Sequence, residues 1–327
     1  MNIDFHTHVY PAVYLETLKK VQQRYGLRLE EDERGRIRFY HRGFDFGPIS
    51  ATGTDPAPRL ADMDAAGIDV QVLTLGNPSV DLLEPEDGVP LMRACNDAIA
   101  ELVKRRPDRF VGFAAIYLKD LDAATGEMRR AKDELGLRGF STFSNVDGVY
   151  LSDRRFRPFF AEAEGLGLPV FIHPLNAAPN PVLERFHLAA LVGFMFETTV
   201  VAATLVYDGL LEEHPGLKLV FNHLGGAVPF LADRLERGSR FPEVQKTISK
   251  KPSEYFKLIY WDTVSFYPPA VECAHAFAGS GRLVLGSDYP FLSGDLPRAV
   301  SSIEATNLSR QDKDDILGNT AKKLLGL

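Results

Sequence analysis

Short apolar runs rich in β-branched and aromatic residues recur along the chain, and each is followed by a stretch with helical periodicity. The runs are Asn2–Phe5, Val70–Leu75, Phe110–Ile116, Gly139–Phe143, Pro169–Ile172, Lys218–Phe221, Leu258–Trp261 and Leu283–Gly286. Several lack polar alternation, the pattern of strands buried on both faces in a parallel sheet. Helices are expected over Arg59–Ala66, Leu91–Arg106, Thr125–Leu135, Phe156–Gly165, Leu183–Glu213 (as two helices), Pro229–Arg237 and Pro268–Ala278. Eight strands alternating with helices predict an α/β protein, a (β/α)₈ barrel in one domain over residues 1–327. A doubly wound open sheet is the alternative, but no G-x-G-x-x-G follows the first strand. More than the usual connection separates the first two strands. The charged stretch Arg28–Arg42 and the Gly/Pro-rich Gly43–Pro58 predict an insertion at about 17–58, either an inserted hairpin or lid over the barrel mouth or a solvated loop.

Composition narrows the classes of function. The 327 residues are 45% hydrophobic and 25% charged, so a folded globular chain is expected. Net charge is −7, from 37 basic and 44 acidic residues, and no basic run offers a track for phosphates, which argues against nucleic-acid binding. The N-terminal residues lack a basic segment followed by a long apolar one, so no signal peptide is expected. The longest apolar stretch, Leu188–Phe196, ends at Glu197, short of a membrane span. Cys95 and Cys273 form no C-x-x-C pair, which fits a reducing compartment and a cytoplasmic location.

The candidate chemistry sits at strand ends. The first strand runs into His6-Thr7-His8, whose side chains at i and i+2 project to the same side of an extended chain. His173 ends the fifth strand, His223 the sixth and Asp288 the eighth. In a β/α barrel these C-terminal ends open onto one face, where active sites form. A single histidine at a strand end is more often a hydrogen-bonded core residue, but five such residues on one rim point to a site. Imidazoles with a carboxylate suit Zn²⁺ first, with Mn²⁺, Fe²⁺ or Co²⁺ as alternatives. His214 reads as a solvated turn residue, and His187 and His275 as packing or capping residues. His41, in the inserted segment, is a candidate substrate contact. Glu197 interrupts an apolar helix, where a carboxylate is costly unless paired. It reads as a structural ion pair or as a support for the site. No G-x-S-x-G, P-loop or H-E-x-x-H occurs.

Together, the N-terminal Met1–Pro11 segment, Ile172-His173-Pro174, Asn222-His223-Leu224-Gly225-Gly226 and Leu285-Gly286-Ser287-Asp288-Tyr289-Pro290 resemble the amidohydrolase superfamily. More narrowly they resemble its branch of metal-dependent decarboxylases around 2-amino-3-carboxymuconate-6-semialdehyde decarboxylase. The likeness extends through Asp55–Arg59, Ala65–Val70 and Gly318–Ala321. It implies a (β/α)₈ barrel with one divalent ion per chain, usually Zn²⁺, held at the positions of His6, His8, His173 and Asp288. It implies that His223 hydrogen-bonds metal-bound water and acts as acid/base; Asp288, a ligand with a free oxygen, is the competing candidate for proton donor. Arg234 matches an arginine offered to the substrate carboxylate across a homodimer interface. The branch's substrate-binding arginine in the inserted segment falls at Gly47, so Arg42 or His41 is the candidate replacement.

The expected activity is metal-dependent, non-oxidative decarboxylation of a small unsaturated or aromatic carboxylic acid. A lactone or amide hydrolase, or a hydratase, on the same barrel is the alternative, and a catalytically silent metal-binding barrel a third.

Overall fold

A computed structural model describes residues 1–33, 35–41, 44–49, 53–176 and 180–327. Fourteen strands occur among them. They are β1 (Ile3–Val9), β2 (Leu27–Glu31), β3 (Ile37–His41), β4 (Phe44–Ile49), β5 (Val70–Leu75), β6 (Phe110–Gly112) and β7 (Ala114–Ala115). There follow β8 (Phe140–Phe143), β9 (Asn145–Val146), β10 (Val149–Tyr150), β11 (Val170–His173), β12 (Leu219–Phe221), β13 (Tyr260–Asp262) and β14 (Leu283–Val284).

Two parallel sheets carry the architecture. One has the order β1-β5-β6, the other β7-β8-β11-β12-β13-β14. They meet at Phe113, between β6 and β7, whose N–H donates to Leu73 of β5. At the opposite edges Phe5 N–H donates to the Leu285 carbonyl at 2.8 Å, and Thr7 pairs in parallel with Tyr289. The expected parallel βα arrangement is therefore present, as two linked sheets. Helices such as Pro85–Arg105, Leu121–Asp133 and Phe194–Tyr207 connect the strands, and Leu296–Glu304 follows the last of them.

The absence of polar alternation has a direct cause. In β11, Val170 and Ile172 pack toward the helices, while Phe171 turns to the other side and joins Phe5, Phe113, Val220 and Val284. Neighbouring β12 divides the same way, with Leu219 and Phe221 on one face and Val220 on the other. Both faces are dry, so period-2 patterning cannot show as apolar against polar.

The inserted segment is more regular than a hairpin. β2, β3 and β4 form an antiparallel sheet in which Arg28 opposes Tyr40 and Ile37 opposes Ile49. Phe39 and Ile49 are buried with Tyr10 and Tyr14, beside the end of β1.

The apolar stretch before Glu197 is longer than its sequence suggested. The helical run Arg185–Tyr207 holds a window of mean hydropathy 1.8, long and apolar enough by composition to cross a membrane. Glu197 does not end the run, because one carboxylate in a helix barely lowers the mean of its window. Within the fold 56% of that window is buried, Val201, Ala202, Leu205 and Val206 completely, as in a core helix. The backbone also leaves the helical region at Phe186, where φ is 58°.

Candidate metal centre

β1 extends through both histidines to Val9, further than the apolar run implied. Its pairing with β5 shifts register between Asp4 and Thr7. His173 is the last residue of β11, while His223 and Asp288 lie just beyond β12 and β14. Because these strands are parallel, their C-terminal ends share one side of the fold, and the five side chains meet there.

One donor atom from each of His6, His8, His173 and Asp288 lies within 4.8 Å of the others, and all four residues are buried. His6 Nε2 is 3.0 Å from His8 Nε2. Asp288 Oδ1 is 3.3 Å from His6 Nε2 and 3.4 Å from His8 Nε2.

The outer nitrogens determine what the inner ones offer. His173 Nδ1 is 2.9 Å from the Pro174 carbonyl, an acceptor, so Nδ1 donates. The Thr74 hydroxyl donates to the Thr7 carbonyl, so its oxygen accepts from His8 Nδ1 at 3.1 Å. His6 Nδ1 lies 2.5 Å from Asp262 Oδ2. With every Nδ1 engaged as donor, three Nε2 lone pairs and a carboxylate oxygen face one another. Four electron-rich atoms so close repel unless a cation lies among them, and this donor set fits a divalent ion. Asp288 Oδ1 supports the fit, being buried without a hydrogen-bond donor among the described residues.

Charge at the site follows from burial and the two carboxylates. Burial alone would lower the pKa of His6, but Asp262 and Asp288 raise it to about 10, so a divalent ion at Nε2 takes that position by displacing a proton. Burial lowers His8 to about 4 and His173 well below its ordinary value. Asp288 resists the upward push of burial because His6 and His8 hold it well below the carboxylate range. Its second oxygen is not free: Oδ2 accepts from the Ser293 hydroxyl at 3.0 Å.

His223 stands beside this set rather than in it. Its ring centroid is 5.3 Å from that of His6 and 5.7 Å from that of His173. Nδ1 is buried without a protein partner among the described residues. Burial and the neighbouring His6 hold its pKa below the ordinary value. The backbone here is unusual, with φ of 54° at both His223 and Leu224 and 58° at Asp288, values that L-residues adopt at a cost.

The remaining candidates lie on other elements. His41 ends β3, half-buried and in register with Leu27 and Phe44. Arg42 lies outside the described residues. Arg234 is exposed on the short helix Ala232–Glu236. Glu197 accepts from the Tyr150 hydroxyl at 3.1 Å. His214 is not a solvated turn residue: its Nδ1 lies 2.8 Å from Glu164 Oε2, largely buried.

Three residues that sequence reasoning passed over complete the surroundings. Asp262 has just been placed against His6. Arg59, a buried arginine, donates to Gln71 at 3.0 Å and to the His8 carbonyl, under the Tyr289 ring. Asp4 accepts from the Ser287 hydroxyl at 2.6 Å and from Gln71 at 3.1 Å, tying β1 to the segment that carries Asp288. Asp262 carried a signal, an acid directly after a strand run, which is the same signal that marked Asp288.

The sequence profile described as Amidohydrolase matches residues 3–327. A 2-amino-3-carboxymuconate-6-semialdehyde decarboxylase of Dictyostelium discoideum is 29% identical, covering 100% of this chain and 92% of its own length. A gamma-resorcylate decarboxylase of Rhodococcus jostii is 33% identical over 82% of this chain and 87% of its own. Among solved structures, a 5-carboxyvanillate decarboxylase from Sphingomonas paucimobilis superposes with a TM-score of 0.84 at 25% identity, covering 100% of this chain and 99% of that one.

Proposed function

The chain belongs to the amidohydrolase family, and on that premise we propose that it is a metal-dependent, non-oxidative decarboxylase of a small unsaturated or aromatic carboxylic acid. One observation carries the reading. Three imidazole nitrogens and a carboxylate oxygen converge beside His223, whose Nδ1 has no partner among the described residues, in a chain whose relatives are decarboxylases.

In this reading His6, His8, His173 and Asp288 hold one divalent ion, Zn²⁺ first and Mn²⁺ second by ligand type. When bound, the ion supplies a positive centre that polarises and orients an oxygen of the acid. His223 delivers a proton to the carbon that bears the carboxylate. The bond from that carbon to the carboxyl carbon breaks, its electron pair stays with the carbon, and CO₂ leaves with the proton in its place. His223 suits the donor role because its ring stands beside the clustered donors and its Nδ1 has no partner among the described residues. Asp288 suits the role less, since one oxygen faces the histidines and the other is occupied by Ser293.

The wider architecture follows the same premise. The two linked sheets are read as one (β/α)₈ barrel forming a single domain, on the strength of the Phe5–Leu285 and Thr7–Tyr289 pairings between their edges. The β2-β3-β4 sheet is read as a lid. Gly53, which follows it, packs so close to Tyr10 and Pro290 that a side-chain Cβ there would stand 3.3 and 3.4 Å from them. A homodimer is the proposed assembly. Phe196, Val200 and Phe230 are exposed apolar side chains at 60%, 42% and 84%. Arg234 is then the proposed carboxylate contact from the second subunit, with His41 and Arg42 as contacts from the lid. A cytoplasmic location is proposed with it.

The test is a panel of hydroxybenzoates, carboxymuconate-type dienoic acids and small lactones, followed for CO₂ release and for ring opening. CO₂ from at least one acid, abolished by a chelator and restored by a divalent ion, is the expected result. Ring opening of a lactone with no CO₂ from any acid makes the enzyme a hydrolase.

A further inference from the structure

One carboxylate stands between His6 and His223, and no motif marks it. Asp262 closes β13 and is completely buried. Its two oxygens serve different partners. Oδ2 lies 2.5 Å from His6 Nδ1, while Oδ1 accepts the backbone N–H of His223 at 2.7 Å and that of Val264 at 2.9 Å. Backbone N–H groups can only donate, so Oδ1 is committed as an acceptor, and Oδ2 accepts from His6.

The surroundings are shaped to allow this bridge. Gly286 lies where a Cβ would stand 3.1 Å from both the Asp262 and His6 Cβ atoms and 2.9 Å from Val264 Cγ2. Any larger residue there would separate the pair. On the other arm, His223 opens four successive residues with positive φ, at 54°, 54°, 72° and 61° through Gly226. A turn of this kind persists only where its surroundings over-determine it, and the His223–Asp262 bond is one such constraint.

We propose that Asp262 is a positioning residue serving both halves of the site, fixing the proton of His6 on Nδ1 and anchoring the backbone of His223. The inference rests on the metal-dependent reading above. It makes the placement of the acid/base and the coordinating form of His6 depend on the same side chain, so the two cannot drift independently.

Asp262→Asn and Asp262→Ala separate the two arms. The Asn oxygen still accepts the His223 N–H, but its NH₂ faces His6 Nδ1 and drives the ring proton to Nε2, where it occupies the lone pair meant for the ion. Asp262→Asn should therefore bind Zn²⁺ and Mn²⁺ about 10–100-fold more weakly in chelator competition. It should show an Nε2–H tautomer at His6 by ¹⁵N NMR and keep slow hydrogen exchange at the His223 amide. Asp262→Ala should lose both ion affinity and amide protection. Native ion affinity with an Nδ1–H tautomer in Asp262→Asn overturns the inference, as does fast His223 exchange in the unsubstituted chain. Since Asn is isosteric with Asp, both readouts stand even if the Ala variant does not fold. An unsubstituted chain that takes up neither ion overturns the metal reading itself and, with it, this inference. An unsubstituted chain that binds the ion, with the same affinity kept in Asp262→Asn, overturns the inference alone.

Discussion

Replacing His223 by Asn separates proton transfer from ion binding more cleanly than replacing it by Ala. The residue sits at φ 54°, a region that Asn tolerates better than other non-glycine residues. Its backbone N–H bond to Asp262 does not involve the side chain, and the imidazole Nδ1 has no partner among the described residues to strand. The expected stability change is therefore under about 1 kcal/mol. None of the four clustered donors is touched, so bound ion should remain near one per chain. Turnover should behave differently. A positioned proton-transfer group contributes roughly 10²–10⁴ in rate, equivalent to about 2.7–5.5 kcal/mol of barrier. The measurement combines CO₂ release under saturating acid, elemental analysis and a thermal melt on the same preparation. Turnover within about threefold of the unsubstituted enzyme, with ion content unchanged, refutes the role of His223. A large loss of ion instead would place His223 among the ligands.

Three further outcomes follow from other parts of the structure. His173→Ala should lose most of the bound ion yet stay folded, because the apolar core of a chain this size does not depend on the ion; full retention by elemental analysis removes His173 from the ligand set. Gly226→Ala should cost about 2–4 kcal/mol in urea unfolding, since its Cβ would stand 2.1 Å from the Met195 carbonyl oxygen at a φ of 61°, and an unchanged midpoint refutes that close approach. Asp81 is buried far from the histidines in sequence, and burial raises its pKa to about 6. The fold thus holds the Asp81 proton more tightly than the unfolded chain does. Its contribution to stability is present below pH 4 and is lost as the pH rises through about 6. Asp81→Asn should accordingly gain thermal stability relative to the parent between pH 4 and pH 7, and a difference independent of pH refutes the shift.

Much of the site was legible along the chain because strand ends are local features. His6 and His8 share a side by period-2 geometry, and His173, His223 and Asp288 each sit where an apolar run stops. The runs themselves reflect burial on both faces, which needs no partner to be recognised. Strand limits were less secure: β1 continues through the histidines to Val9, and the Phe110–Ile116 run divides at Phe113 to serve two sheets. Composition marked an insertion, but charge and glycine content do not encode which strands pair, so the three-stranded sheet emerged only from the fold.

What the sequence alone determined is therefore the set of chemical groups and the side of the fold on which they gather. Tertiary structure decided their electronic form. Whether an imidazole offers Nε2 or Nδ1 depends on the acceptor behind it, and those acceptors are Asp262, Thr74 and the Pro174 carbonyl. Asp262 lies 256 residues from His6. No local pattern spans that distance, because the pairing exists only once β13 and β14 bring it across Gly286 to the first strand.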